Sequence, residues 1–152
     1  MITRYFAYGS NMNPARVTAR GLRFTRCVSG RVGNVRLVFD KASRDHPACA
    51  HANLEFARDS TAEGVLYELV DADEILKMDP FERAPINYSR EAVTVWTAEG
   101  DVVAWTYFAN PGVRRAGLRP ERAYLEHLLA GRPYLSAAYF DRLLRTVCVE
   151  DQ

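Results

Sequence analysis

Alternation of apolar and polar residues dominates the middle of this chain, while helical periodicity is confined to its two ends. Arg4 to Tyr8 reads as a strand built on the apolar run Tyr5-Phe6-Ala7. Asn13 and Pro14 then supply an N-cap and a first-turn proline, and Gly21 a stop, so a short helix is expected near 14–20. Leu22 to Val28 is a weaker strand, and Val35, Leu37 and Phe39 mark a better one over 35–39. Residues 40–50 read as a loop, Ala52 to Phe56 as a short strand, and Glu63 to Leu69 as a strand with Val65, Tyr67 and Leu69 on one face. Asp71 and Glu74 have capping-box-like spacing ahead of Ile75, Leu76 and Met78, which predicts a short helix ending near Asp79-Pro80. Tyr88 to Thr97 and Val102 to Ala109 flank Ala98-Glu99-Gly100-Asp101 and predict a β-hairpin. After Asn110-Pro111-Gly112, one helix runs from Pro120 to Gly131 and carries Tyr124, Leu125, Leu128 and Leu129. Another begins after Ser136 and buries Tyr139-Phe140 and Leu143-Leu144. Consecutive strands flanked by helices predict an α+β fold. Its sheet is expected to be mixed, mostly antiparallel, of about six strands, and able to close into a barrel.

Composition narrows the function classes. With 152 residues, 48% of them hydrophobic, the chain suits one core, and 1–152 reads as a single domain. Twenty basic and 19 acidic residues leave a net charge of +1, which argues against a nucleic-acid partner. The arginines at 114, 115, 119 and 122 read as a solvated face. No apolar stretch reaches membrane-spanning length and no signal-peptide pattern opens the chain, so no membrane partner is expected. Cys27, Cys49 and Cys148 are odd in number and widely spaced, which points to a reducing compartment, the cytoplasm.

Two segments carry candidate chemistry. Tyr8-Gly9-Ser10-Asn11-Met12-Asn13 lies where a strand stops and a helix begins. Such a turn can aim successive N–H groups into one concavity suited to a carboxylate or an oxyanion, although an ordinary polar turn has the same composition. The second is Met78 to Arg90, where Glu82 sits between Pro80 and Pro85. A fixed, partly desolvated Glu can have a raised pKa and move protons near neutrality, whereas a lone turn Glu is ordinarily just solvated. Phosphate-loop, Gly-x-Gly-x-x-Gly and Gly-x-Ser-x-Gly patterns are absent, and Ser10 has no evident triad histidine. His46, Cys49 and His51 could be metal ligands but lack a fourth at any standard spacing, and a loop with incidental imidazoles is the simpler reading. His127 reads as a surface or boundary residue of its helix.

Taken in order, these segments resemble the γ-glutamylcyclotransferase-like family. Its hallmark strand followed by Tyr-Gly-Ser-Asn and an apolar residue matches Tyr8 to Met12, and its Gly-Val-(Leu/Val)-Tyr-x-Leu strand matches Gly64 to Leu69. The aspartate, catalytic glutamate and following tyrosine match Asp79, Glu82 and Tyr88. The closing strand with its tyrosine matches Ala104 to Tyr107, and the Pro-x-x-x-Tyr helix opening matches Pro120 to Tyr124. The resemblance covers nearly the whole chain. It implies a mixed β-barrel with peripheral helices and a pocket between the Tyr-Gly-Ser-Asn loop and the glutamate. It also implies a reaction without metal or cofactor, in which the α-amine of a γ-glutamyl group attacks its own γ-carbonyl, closing 5-oxoproline and releasing an amino acid or amine. On this reading Glu82 is the general acid/base, the N–H groups of Gly9, Ser10, Asn11 and Met12 hold a carboxylate or oxyanion, Tyr8 belongs to the substrate site, and Tyr88, Tyr107 and Tyr124 wall it with hydroxyls available. Core packing is the plain alternative for each tyrosine.

Two departures matter. The family's glutamate is typically followed by Gly, whereas Arg83 stands here; it could contact an acidic substrate, but pointing outward is preferred. The Arg-rich signature of the glutathione-specific branch is missing, which argues against glutathione. Arg83 also motivates a second reading, a non-catalytic domain of the same fold binding a small metabolite or a protein. The leaving amine is expected to be read by 40–50 and 110–119, and the chain to act as a monomer or homodimer.

Overall fold

In the computed structural model, which describes residues 1–151, five strands close into a barrel in the order β1-β3-β2-β4-β5. They are β1 (Arg4–Ala7), β2 (Phe24–Ala42), β3 (Ala50–Leu69), β4 (Tyr88–Thr97) and β5 (Gly100–Ala109). All neighbours pair antiparallel except β1 and β5, which meet in parallel at Tyr5 and Trp105. Three helices lie outside: α1 (Pro14–Ala19), α2 (Arg122–Leu129) and α3 (Ala137–Leu144).

Five strands agree with the expected count of about six; segments 22–28 with 35–39, and 52–56 with 63–69, are each one continuous strand. β2 is 19 residues long and β3 is 20, paired from Phe24 opposite Leu69 to Ala42 opposite Ala50. The polar stretches that interrupted the alternation hold a register shift between Gly33 and Val35. Asn34 (φ 60°) and Asp59 (φ 64°) occupy the left-handed region there, and the Asp59 N–H donates to Asn34 Oδ1 at 3.1 Å. Asn and Asp tolerate that conformation better than other side chains, so the strands bend rather than end.

Alternation along Tyr5 to Tyr8 divides the interior. Phe6 and Tyr8 join Val32, Leu54, Leu66, Val95 and Ala104 inside the barrel, whereas Tyr5 and Ala7 join Met12, Val17, Leu125 and Leu128 between barrel and helices. Val65, Tyr67 and Leu69 share the outer face, as their spacing predicts. Room for Phe6 comes from Gly30 and Gly64, which face each other across β2 and β3. A Cβ on Gly64 would lie 2.3 Å from the Ala7 carbonyl oxygen, and one on Gly30 would lie 2.7 Å from Val95 Cγ1.

The caps obey the expected chemistry with two corrections. Asn13 Oδ1 accepts from Ala15 N at 3.1 Å to start α1, and Ser136 Oγ accepts from Tyr139 N at 3.3 Å to start α3. Asp71 Oδ1 accepts from Glu74 N at 3.1 Å, but the chain beyond it makes only a single tight turn over Glu74–Lys77, and Glu74 does not reach back to complete a capping box. In α3, Tyr139 and Leu143 are buried while Leu144 is half exposed, because the short helix offers one face to the barrel. No described helix is long and apolar enough to cross a membrane.

Candidate active site

A cleft of about 270 Å³ opens where β1 runs into α1, between the residue 79–87 turns and the β2–β3 connection. The local backbone explains its floor. A tight turn over Ser10–Met12 commits the Met12 N–H to the Gly9 carbonyl (2.9 Å) and the Asn13 N–H to the Ser10 carbonyl (3.3 Å). The N–H groups of Ser10 and Asn11, first in that turn, have no carbonyl partner among the described residues, and both residues line the cleft. Gly9 allows a close approach here, since a Cβ would sit tightly against Ala52 Cβ at 3.1 Å and the Tyr124 hydroxyl at 3.4 Å.

The expected residues sort into two groups. Tyr8, Gly9, Ser10, Asn11, Glu82, Tyr88, Tyr107 and Tyr124 all line the cleft. Met12 does not; its side chain is fully buried in the outer core and its N–H is already used, so its expected donor role is withdrawn. Most of the tyrosine hydroxyls are already committed, contrary to the expectation that they would be available. Tyr8 donates to the Tyr107 carbonyl (2.5 Å), Tyr88 to the Ala52 carbonyl (2.8 Å) and Tyr107 to Asp79 Oδ1 (2.6 Å). Burial drives the Tyr8, Tyr88 and Tyr107 pKa values up, so all three stay neutral. The Tyr124 oxygen accepts from Ala52 N (2.9 Å), and burial raises this phenol to about 12.

Asn11 ties the floor to the loop that carries Glu82. Its Nδ2 donates to the Tyr5 hydroxyl (2.9 Å) and to Met78 Sδ (3.3 Å), Arg20 donates to its Oδ1 (3.1 Å), and Tyr67 donates to its carbonyl (2.6 Å). The Met78 carbonyl in turn accepts the N–H groups of Phe81 (3.0 Å) and Glu82 (3.2 Å). The far end of the loop is pinned by Asn110, whose Nδ2 donates to the carbonyls of Pro85 (2.8 Å) and Ile86 (2.9 Å). The Asn11 side chain is therefore consumed in holding the loop.

The Glu82 carboxylate makes no hydrogen bond or ion pair with a described residue. Desolvation by the surrounding protein raises its carboxyl to about 7 against the pull of Arg20, Lys41 and Arg16, and Asp79 adds a smaller push upward. Next to it Arg83 is exposed at the rim with φ 49°, in the left-handed region that glycine occupies most easily. The position that the resemblance fills with glycine thus keeps a glycine-like backbone, and the loop retains its course.

Sequence reasoning missed the cations. Arg16 and Arg20 project from α1 and Lys41 from β2, with Arg44 and Asp45 beside them on the connection. The four-residue spacing of Arg16 and Arg20 on a helix leaving the donor turn was a usable signal; nothing local marked Lys41. His127, at a helix boundary, lies 3.3 Å from Arg16 Nη1 and 3.1 Å from Asn13 Nδ2. His46, Cys49 and His51 do not gather, and no three metal-ligating side chains come together among the described residues. His51 instead stacks on Tyr124 (4.7 Å between centroids), where burial and nearby Lys41 lower its imidazole to about 4. Residues 43–45 do border the cleft, but 111–117 border a separate groove. Arg114 there pairs with Asp40 (2.7 Å) and Arg122 with Asp151 (2.8 Å).

The closed mixed barrel thus carries a cleft that joins N–H donors without a carbonyl partner, several cations and the unpartnered Glu82 carboxylate. The pattern of the family described as Gamma-glutamyl cyclotransferase, AIG2-like matches residues 5–127, and the chain belongs to that family. It is similar in structure to a γ-glutamyl cyclotransferase (TM-score 0.84, 20% identity, covering 97% of this chain and 89% of that one). An uncharacterized protein from Homo sapiens is equally similar (TM-score 0.84, 20% identity, 99% and 90% covered). A yeast γ-glutamyl cyclotransferase specific to glutathione is more distant (TM-score 0.65, 14% identity, 95% and 94% covered). At these identities the likeness is one of fold. No curated protein sequence matches the chain.

Proposed function

We propose that this protein cyclises γ-glutamyl compounds to 5-oxoproline with release of an amino acid or amine, Glu82 serving as general acid/base. The observation that carries the reading is an unpartnered carboxylate held near neutrality, in the same cleft as two free N–H donors. In the proposed reaction the substrate α-nitrogen bonds to its own γ-carbonyl carbon while Glu82 takes the proton that nitrogen sheds. The tetrahedral intermediate then collapses, the bond to the leaving nitrogen breaks, and Glu82 returns the proton to that nitrogen. No water is consumed. Ring closure is intramolecular, so holding a folded conformer supplies much of the rate enhancement. The Ser10 and Asn11 N–H groups would hold the α-carboxylate or the developing oxyanion, each worth about 3 kcal/mol in a dry site. Tyr8, Tyr88 and Tyr107, with hydroxyls tied to the protein, act as shape-defining walls, and Tyr124 stands beside the donor turn. The free thiols Cys27, Cys49 and Cys148 are compatible with the cytoplasm as its compartment.

The test is 5-oxoproline release from a panel of γ-glutamyl amino acids and amines. Glu82→Gln is expected to lower kcat by about 10³-fold with the circular dichroism unchanged. Turnover that survives the substitution removes Glu82 from the reaction. Thermal stabilisation by 5-oxoproline without product from any donor would instead favour a binding domain.

A further inference from the structure

Lys41 is the residue the proposed reaction leaves unexplained. It lies one position before the end of β2 and is only 5% exposed, yet its ammonium lines the cleft. Among the described residues its ammonium makes no hydrogen bond or ion pair. Its nearest compensation is the face of Tyr88, with Nζ 5.9 Å from the ring centroid, at the limit of a useful cation–π contact. Glu82 and Asp45 lie close enough to attract it and Arg83 close enough to repel it, but none is bonded to it. The side chain is buried while its ammonium opens to the cleft with no bonded anion; partial desolvation without a partner is unfavourable, so its retention at a cleft wall calls for an anion that arrives with the ligand.

Its position says which anion. Cations enter the cleft from two walls, the α1 side and the end of β2, and cations of both walls act on the Glu82 carboxyl. On one side Arg16 and Arg20 stand next to the donor turn, Arg20 held by Asn11 Oδ1 (3.1 Å) and packed over the Phe81 ring (4.8 Å). On the other, Lys41 faces Tyr88 and the β2–β3 connection. A γ-glutamyl amino acid has the matching layout: one carboxylate on the glutamyl carbon, the scissile amide in the middle, and a second carboxylate on the leaving amino acid. With the glutamyl carboxylate at the donor turn and the amide at Glu82, the second carboxylate falls on the Lys41 side. We propose that Lys41 is a specificity-determining residue that binds a carboxylate carried by the leaving group, so that γ-glutamyl amino acids are preferred over γ-glutamyl alkylamines. This rests on the cyclisation reading of the cleft. A leaving group with a net positive charge meets repulsion on both walls and is a poor substrate.

The test compares γ-glutamylalanine with γ-glutamylethylamide, which differ by the leaving-group carboxylate. The wild type is expected to favour the alanine compound by about tenfold or more in kcat/KM. Lys41→Met is expected to bring that ratio to within about twofold, mainly by raising KM for the alanine compound, and Lys41→Arg to restore part of it. An unchanged ratio in Lys41→Met, with both substrates losing equally, overturns the proposal and puts Lys41 at the glutamyl end or in a structural role. Calorimetric binding of the same two compounds to Glu82→Gln protein, with and without Lys41→Met, reads the preference independently of turnover. If the wild type cyclises neither compound, the cyclisation reading fails. The binding ratio still decides Lys41: a carboxylate preference that Lys41→Met abolishes supports the assignment, and equal binding overturns it.

Discussion

Glu74 and Glu82 lie on one short stretch of chain, and they are driven to opposite ends of the carboxylate range. Glu74 is 2% exposed, covered by the side chains of Arg23 and Lys77, which are themselves 65% and 45% exposed. Desolvation pushes its carboxyl up, but Lys77 (2.9 Å), the Arg23 N–H (2.7 Å) and the Arg23 guanidinium (3.1 Å) outweigh it and hold the group at about 2. Glu82 is half-buried, has no bonded donor, and a value of about 7. Arg16, Arg20 and Lys41 attract it from across the cleft, yet through-space attraction without a hydrogen bond does not repay the lost hydration. Direct donors, more than depth, separate a structural carboxylate from one able to move protons.

The largest test of that contrast is the pH–rate profile. With Glu82 as base, kcat/KM should fall about tenfold per unit below about pH 7, near a hundredfold by about pH 5. A flat profile over that range would place the proton elsewhere. Stability should respond with opposite signs at the two residues. The folded value of Glu82 lies above its ordinary 4.5, so its contribution is complete below about pH 4.5 and is lost as pH rises through about 7. Glu82→Gln should therefore match the wild type in stability near pH 4.5 and exceed it near pH 8 by about 2 kcal/mol, the shift being discounted for solvent reaching the carboxylate through the cleft. Equal Tm values at both pH values would mean that the carboxylate is not desolvated.

Glu74 has a depressed value, so its contribution is present above about pH 4.5 and disappears as pH falls through about 2. Glu74→Gln should lower stability near pH 7 by about 1.5 kcal/mol, and by less at low pH, while kcat/KM stays within about twofold of wild type. A large loss of turnover would mean that the turn it anchors reaches the site. The smallest effect concerns the neighbour of Glu82. Arg83→Gly should stabilise the fold by about 0.5 kcal/mol, because relief of the left-handed backbone exceeds the added freedom of glycine in the unfolded chain. A measured destabilisation would show that the Arg83 side chain contributes more than its backbone costs.

Much of the site was legible because its framework is local. The turn from Tyr8 to Asn13, the cap at Asn13 with Pro14, and the proline-flanked Glu82 are each specified within a few residues. The β4–β5 hairpin is equally local, and so is the outward face of Val65, Tyr67 and Leu69. The long strands were less legible: the polar bulges at Asn34 and Asp59 break the alternation without breaking the strand. Hydroxyl availability was invisible for a similar reason. Tyr8 and Tyr107 are separated by 99 positions, and only barrel closure brings the phenol of one to the carbonyl of the other.

The sequence by itself determined the α+β class, the donor turn at the end of β1 and the single glutamate in its restrained loop, because those depend on backbone preferences and periodicities acting over one or two turns. Tertiary structure alone decided that Glu82 has no donor while Glu74 has several, that Met12 belongs to the core, and that Arg16, Arg20 and Lys41 stand around the cleft. Desolvation and Coulomb attraction depend on which groups meet in space, and parallel pairing of β1 with β5 closes a barrel that brings together residues far apart along the chain.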